Sequence, residues 1–298
     1  MSDTCFIHID LDTIDEIYQC YGLANPTKFE SDPAYEEGLQ NFLELFREFN
    51  VKSTLFTVAQ DVLNSRHCEI LKRAIDGGHE IANHSLSHSF NLTSLSEEDI
   101  CVEIIKSHNI IKSNLGVECV GFRAPGYNIS ENYIKALSRT NYKYNSSLLP
   151  TFYGFLFRIA DKILSGKAAP DKQQFGSFSN GFKPNYPFKI IGTNLWELPI
   201  TTSPTIRFPI HSTMAHTFGE KYIIQALSQL KENQYHVLYL FHAVDLVDTI
   251  KLDIFKGKKS PAVFSSSYAD KLKTIKKVLY YIKDNFNVVL SKDWIAEK

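Results

Sequence analysis

Cys5-Phe-Ile-His-Ile-Asp-Leu-Asp12 is a short β-rich run, and it opens an alternation that extends along the chain. Leu39, Phe42, Leu43, Leu45 and Phe46 then recur at helical spacing within residues 35–49. Ser53-Thr-Leu-Phe-Thr-Val58 reads as a strand, residues 68–75 as a helix stopped at Gly77-Gly78, and His79-Glu-Ile-Ala82 as a strand. Ser96 is the N-cap of the next helix, with Asp99 three residues on in the manner of a capping box, and that helix runs to near Gly116. Further strands are expected at 119–123, 190–200, 235–241 and 287–290, and a last helix at 269–283. Alternation of this kind predicts an α/β fold with a parallel sheet and helices outside. About seven such units favour a barrel over an open sheet. Residues 150–190, rich in Phe, Gly, Pro and Lys, break the rhythm and are expected to be an insertion between strands.

Composition narrows the function classes. Hydrophobic residues make up 44% and charged ones 22% of 298 residues, which excludes bulk disorder. Lys+Arg is 32 and Asp+Glu is 33, a balance that argues against nucleic acid as a partner. The five cysteines are scattered without a C-x-x-C, as suits reduced core thiols. The start, Met-Ser-Asp-Thr-Cys-Phe-Ile-His, lacks the basic and apolar regions of a secretory signal, and no run of apolar residues is long enough to span a bilayer. The expectation is a cytoplasmic protein.

In a barrel the chemistry sits at the C-terminal ends of the strands. On the first strand His8, Asp10 and Asp12 share one face. Two carboxylates inside a barrel repel, and their desolvation is costly unless a cation neutralises them. The plainer reading is that Asp12 caps the turn after the strand and Asp10 pairs with an arginine. His84 and His88 lie four apart in Gly78-His-Glu-Ile-Ala-Asn-His84-Ser-Leu-Ser-His88, a spacing that puts both imidazoles on one side of a helical turn and within reach of one metal. One Asp and two His make a catalytic zinc site with an open position for water, and the other Asp is then free to accept that water's proton. Arg123, in Gly121-Phe-Arg-Ala-Pro-Gly-Tyr127, is placed to pair with a carboxylate, and the turn at Pro125-Gly126 to present backbone N–H groups to an oxyanion. His242 ends the apolar run 237–241 and is a candidate general acid.

These clusters, in this order, resemble the polysaccharide deacetylase family with its NodB-type domain, closely over residues 5–130 and more loosely over 235–295. The histidine motif is the most specific part. Lys52-Ser-Thr-Leu-Phe-Thr-Val is similar to the family's second strand, and Gly121-Phe-Arg-Ala-Pro125 to its arginine–proline motif. Asp10-Leu-Asp12-Thr13 departs from the adjacent Asp pair of most members. It is similar to the Asp-x-Asp-Thr form of the branch that includes lipid-linked aminoarabinose deformylases; some peptidoglycan deacetylases and allantoinase-like members share the spaced pair.

The resemblance implies a single catalytic domain over 1–298, built as a distorted (β/α) barrel of about seven parallel strands. It implies that Asp12, His84 and His88 bind a divalent metal, Zn²⁺ first among the candidates. Asp10 is then the general base, Arg123 its electrostatic partner, and His242 the acid that protonates the leaving amine. Tyr127, Asn145, Trp196, Glu197 and Asp245 are expected at the substrate. Asn145 stands where many members place an Asp in Tyr-Asp-Ser-Ser, so Asp245 is the candidate to orient and charge His242. His211 and His216 are candidates for substrate contact, whereas His67, His79 and His108 read as structural or surface residues. The implied activity is hydrolysis of an N-acetyl or N-formyl group on an amino sugar, in nucleotide- or lipid-linked glycan assembly. An allantoinase-like cyclic amide hydrolase and a non-catalytic glycan-binding relative are the alternatives. Residues 146–164, apolar with Arg158 and Lys162 among them, suggest a peripheral contact with the inner face of a membrane or with a lipid tail.

Overall fold

β1 (Thr4–Asp10) is buried along its whole length, and its two faces serve two cores. Cys5, Ile7, Ile9 and Leu11 join the apolar layer between sheet and helices, with Phe42, Phe46, Leu71, Ile104 and Leu279. Phe6 joins the barrel interior with Phe56, Ala82, Tyr144, Leu240 and Trp294. By the same alternation His8 and Asp10 turn inward. A strand apolar on one face and charged on the other is therefore buried on both, as parallel strands are.

The computed structural model describes residues 3–23, 25, 27–165, 174–252, 254–255 and 260–298. After β1 come β2 (Thr54–Thr57), β3 (Glu80–Asn83), β4 (Gly121–Phe122), β5 (Tyr144–Asn145), β6 (Phe188–Lys189), β7 (Trp196–Glu197), β8 (Val237–His242) and β9 (Asn287–Val288). They form one sheet in the order β6-β7-β5-β4-β3-β2-β1-β8, and β9 pairs with β1. Every pairing is parallel except β6 with β7. The sheet curls into a half-barrel with helices around it, the distorted barrel expected. Between β7 and β8 the described residues form no ladder. Leu238 N–H donates to Thr201 Oγ1 (2.7 Å) and Thr201 N–H to the Leu238 carbonyl (3.4 Å), and these bonds draw the two sides together.

Helices Gln40–Phe49, Ser65–Asp76, Glu97–Leu115 and Tyr268–Asn285 cover the outside. Ser96 caps its helix through the Asp99 N–H, and Gly116 ends it in the left-handed conformation (φ 72°). The helix expected at 35–49 opens with a wide turn, Ala34–Leu39. There Gly38 lies so close to the Ala243 carbonyl that a Cβ would approach its oxygen to 2.2 Å, and this backbone contact seats the loop after β8. The strand expected at 190–200 is split. Gly192 (φ 78°) and the Thr193 side chain, which donates to the Ile190 carbonyl at 2.9 Å, turn the chain into a hairpin, leaving only β7 in the parallel set. Of the expected insertion, residues 166–173 lie outside the described residues; helix Gly154–Ser165 and the short turn Phe178–Phe182 lie within them.

Helix Ser291–Ala296 closes the floor of the barrel. Trp294 packs edge-on against Phe6 (5.6 Å between centroids) and Trp196 (5.3 Å). The opposite mouth, at the strands' C-terminal ends, receives Asp10, His84, Arg123 and His242.

Candidate metal centre and active site

The candidate metal side is built from β1 and the loops after β3 and β4. Residues 84–88 are a loop, not the helical turn expected from their spacing. Left-handed backbone at Ser85 (φ 77°) and His88 (φ 54°) folds the two imidazoles together, centroids 5.0 Å apart. Asn83 fixes that loop. Its Oδ1 accepts the Ser85 N–H (2.9 Å), its Nδ2 donates to Ser107 Oγ and Tyr142 Oη (both 2.7 Å), and Ser85 Oγ accepts the His88 N–H (3.0 Å). His84 Nδ1 lies 2.8 Å from the Arg123 carbonyl, which can only accept, so the proton sits on Nδ1 and the Nε2 lone pair is free. That Nε2 and His88 Nε2 stand 3.4 Å and 3.3 Å from Asp12 Oδ1.

Asp12 Oδ1 is buried and makes no hydrogen bond. A buried carboxylate oxygen without a donor, facing two imidazole nitrogens, fits a divalent cation. These three are the only His/Cys/Asp/Glu group of that compactness among the described residues, their ligand atoms within 4.8 Å of one another. Burial pushes the Asp12 carboxyl up, but His88, His84 and His242 outweigh it and hold it well below the usual range. Burial pulls His88 down to about 4, while at His84 Asp10 and Asp12 overcome burial and raise it.

Asp10 is buried beside this group, its Oδ2 3.9 Å from His84 Nε2 and its Oδ1 ion-paired with Arg123 Nη1. Arg123 is fully buried. Its Nε donates to the Ser146 carbonyl and Nη2 to Ser146 Oγ (both 2.8 Å), and its guanidinium lies 4.0 Å from the Phe56 ring centroid. Of the plainer reading, the Asp10–arginine pair is present, whereas the cap after the strand is Thr13 rather than Asp12, whose carboxylate faces the histidines.

Across the turn Pro125–Tyr127, where Gly126 and Tyr127 take φ of 71° and 60°, Tyr127 Oη reaches His242 Nε2 at 3.3 Å. Asp245 and His242 are joined reciprocally: the Asp245 backbone N–H donates to the His242 side chain, while the Asp245 carboxylate holds the His242 backbone rather than its ring. Its Oδ2 accepts the His242 backbone N–H (2.8 Å) and its Oδ1 lies 3.4 Å from His216 Nε2. Burial raises the Asp245 carboxyl, but His216 and His242 bring it down to about 2. His216 is thus a partner of Asp245, a pairing across 29 positions of sequence that no local spacing announces.

Asp10, Asp12, His84, His88, Tyr127, His211, His242 and Asp245 all line one cavity of about 480 Å³. Asn145, Trp196 and Glu197 do not, which corrects the expectation that they meet substrate. The β5–β7 register pairs Tyr144 with Trp196, whose indole packs on the floor against Trp294. Asn145 and Glu197 are buried behind the wall. Asn145 donates to Glu197 and accepts from Tyr133 Oη (2.6 Å), while Glu197 Oε1 accepts the Leu148 N–H (2.9 Å).

Residues 28–145 match the family model for polysaccharide deacetylase. Peptidoglycan deacetylase of Helicobacter pylori is 29% identical over 131 residues, 43% of each protein. Peptidoglycan-N-acetylglucosamine deacetylase of Bacillus cereus is 31% identical over 100 residues, 34% of this chain and 35% of that one. The matches thus span less than half the length of these curated relatives. Among solved structures, a probable polysaccharide deacetylase from Pseudomonas aeruginosa PAO1 shares the fold over 99% of this chain and 89% of its own, at TM-score 0.60 and 13% identity. Puue allantoinase does so over 98% and 89%, at TM-score 0.60 and 14% identity. The family match contains His84, His88 and Arg123, and the fold brings Asp10, Asp12 and His242 to them from outside it. Through residues 28–145 the chain is similar to the polysaccharide deacetylase family, and its fold is shared with solved structures of such proteins.

Proposed function

We propose that this chain is one catalytic domain, a metal-dependent amide hydrolase that removes an acetyl or formyl group from the nitrogen of an amino sugar. The convergence of Asp12, His84 and His88 on one cavity wall that also bears Asp10 and His242 carries this reading. A divalent ion on those three residues, zinc in the first instance, would supply Lewis acidity and bring a water's pKa to about 7. Asp10 takes the proton from the attacking water, and the buried Arg123 keeps its carboxylate aimed at the site. The Tyr127 backbone N–H is the candidate donor to the developing oxyanion. His242 gives its proton to the departing amine, with Tyr127 Oη beside it.

The cavity walls favour an amphiphilic substrate, since Ile17, Tyr21, Phe157, Phe175, Met214 and Phe264 extend it away from the polar cluster. A lipid-linked amino sugar combines such an apolar portion with the N-acyl group. Helix Gly154–Ser165 turns Phe157 to the cavity and leaves Phe155, Leu156, Ile159 and Ile163 exposed, a surface suited to peripheral membrane contact. Arg158 does not serve that contact, for its guanidinium is engaged by the Gln174 and Gly176 carbonyls (both 2.7 Å). The side chain of Lys162 lies outside the described residues. Among the described residues no helix is long and apolar enough to cross a membrane. All five cysteines are free, which supports a reducing, cytoplasmic setting.

The fold shared with Puue allantoinase keeps a cyclic amide as a second reading. Asn145 lends no weight to a non-catalytic role, because it ties Glu197 behind the wall. The deciding experiment loads the protein with Zn²⁺, measures bound metal, and assays N-acetyl and N-formyl amino sugars beside ureides. Release of acyl product from the sugars, lost with metal in Asp12→Ala, is expected. Turnover of ureides alone, or undiminished turnover without metal, overturns the reading. Sedimentation with anionic vesicles, lost on replacing Phe155 and Ile159 by Ser, tests the membrane contact; absence of binding at low salt rejects it.

A further inference from the structure

The site uses Asp10 and Asp12 from the inward face of β1 but leaves His8 unexplained. We propose that His8 and Ser291 are positioning residues for Asp10, acting through Arg123; calling Asp10 the base rests on the hydrolase reading above. His8 is fully buried, one inward position below Asp10. Arg123 Nη2 donates to His8 Nδ1 at 2.7 Å, from the same guanidinium whose Nη1 holds Asp10. An arginine has no acceptor, so His8 Nδ1 must be the unprotonated nitrogen and Nε2 must carry the hydrogen. Nε2 faces Ser291 Oγ at 2.7 Å, which therefore accepts. Beyond Ser291, Tyr144 Oη donates to Glu80 Oε1 at 2.8 Å. Glu80 also accepts from Thr54 Oγ1 (2.7 Å) and the Lys292 N–H (3.1 Å).

Both donors in this chain point the same way, from Arg123 through His8 to Ser291. Such a chain strengthens each of its bonds and admits one tautomer of His8, because reversing it would set N–H against N–H at Arg123. Burial and the adjacent Arg123 both keep the His8 ring neutral, as the chain requires. Ser291 begins the helix that carries Trp294 into the floor. The closing helix at one end of the barrel thereby sets the aim of a carboxylate at the other.

His8→Leu removes the acceptor and keeps an apolar side chain against Phe56, whose ring lies 5.0 Å away. His8→Asn restores an oxygen acceptor near the Nδ1 position, and Ser291→Ala removes only the distal partner. With the Zn²⁺-loaded protein and whichever N-acyl amino sugar it hydrolyses, His8→Leu is expected to lower kcat about 10-fold or more with KM nearly unchanged, since a small misaim of a reacting group is costly. Bound metal stays at the wild-type level, His8→Asn recovers most of the rate, and Ser291→Ala loses about threefold. Wild-type kcat in His8→Leu, or a loss that follows metal content or goes unrescued by His8→Asn, overturns the proposal. If the wild-type protein hydrolyses no N-acyl sugar, the hydrolase reading fails by itself. The network is then read by ¹⁵N NMR. An Nε2–H, Nδ1-unprotonated His8 is expected at neutral pH, with an Arg123 Nε–H that resists exchange and loses that protection in His8→Leu. The opposite tautomer, or unchanged protection, rejects it.

Discussion

The two halves of the cavity are held by different means. On the metal side, Asp12, His84, His88 and Arg123 follow short parallel strands within a few residues. Adjacent backbone fixes them: the His84 N–H on the Thr57 carbonyl (2.9 Å) and the Arg123 N–H on the Asn83 carbonyl (2.9 Å). On the opposite side, where His242 is the proposed acid, the strand is followed by a loop anchored from afar. Lys271, buried in helix Tyr268–Asn285, places its ammonium among the Val244, Val247 and Val263 carbonyls and Thr249 Oγ1, and Asp245 reaches His216. The first half is specified by neighbouring residues and the second by distant ones. Changes on the two sides should therefore fail differently.

The largest effect belongs to the ligands. Asp12→Ala or His84→Ala should lose bound metal together with at least about 10³-fold in kcat/KM, several kcal/mol of lost transition-state stabilisation. Elemental analysis beside the assay checks it, and full metal occupancy with full rate would erase the distinction between the halves. Next, His242→Ala should lower kcat by roughly 10²–10⁴-fold with metal retained. Metal lost along with rate in that variant would mean that His242 belongs to the first half.

Lys271 sharpens the comparison through stability. Lys271→Met withdraws the ammonium from the Val244, Val247 and Val263 carbonyls and Thr249 Oγ1; each carbonyl keeps one other donor, the Val247 N–H, the Thr249 N–H and the Thr249 hydroxyl in turn, so the cost is about 1–3 kcal/mol in all. Denaturant unfolding should show a loss of about 1–3 kcal/mol, with metal affinity unchanged once folded. The sign with pH is definite. Burial lowers Lys271 from 10.5 to about 8, so between those values the unfolded chain binds more protons than the folded one. Its contribution to stability therefore rises with pH from about 8 to 10.5. Lys271→Met should abolish that rise.

The same division marks what the sequence made legible. The alternation in β1 and the Asp, His and Arg clusters fall at strand ends, so their gathering at one mouth of the barrel is legible without tertiary knowledge. The i, i+4 spacing of His84 and His88 pointed to a helix, and left-handed backbone at Ser85 and His88 reached the same convergence by another route. Trp196 and Glu197 are expected at the substrate because the resemblance puts a pocket-lining strand there. The hairpin at Gly192 and the Tyr144–Trp196 register set the indole toward the floor instead. Nothing within a few residues of Asp245 or Lys271 signals His216 or the Val263 carbonyl, since those contacts exist only once the barrel has closed.

The smallest effect expected on catalysis tests whether Asn145 stands outside the site, and it is the one departure from the usual family pattern that the fold explains. Asn145 Oδ1 accepts from Tyr133 Oη and Ser147 Oγ (both 2.6 Å), which leaves its Nδ2 as the donor to Glu197. Asn145→Asp keeps both accepted bonds and sets a second carboxyl against Glu197. Burial already raises Glu197 to about 7, so the folded chain holds that proton where the unfolded one releases it. This contribution to stability is present below about 4.5 and fades as pH rises through about 7. Two facing carboxyls must share a proton, which steepens the decline. Asn145→Asp should cost about 1–3 kcal/mol near neutral pH and less in acid, while kcat changes by less than about twofold. Urea unfolding at pH 5 and pH 8, beside the assay, reads both quantities. A large change in kcat without a change in stability would bring Asn145 back to the substrate and remove the wall that separates it from the cavity.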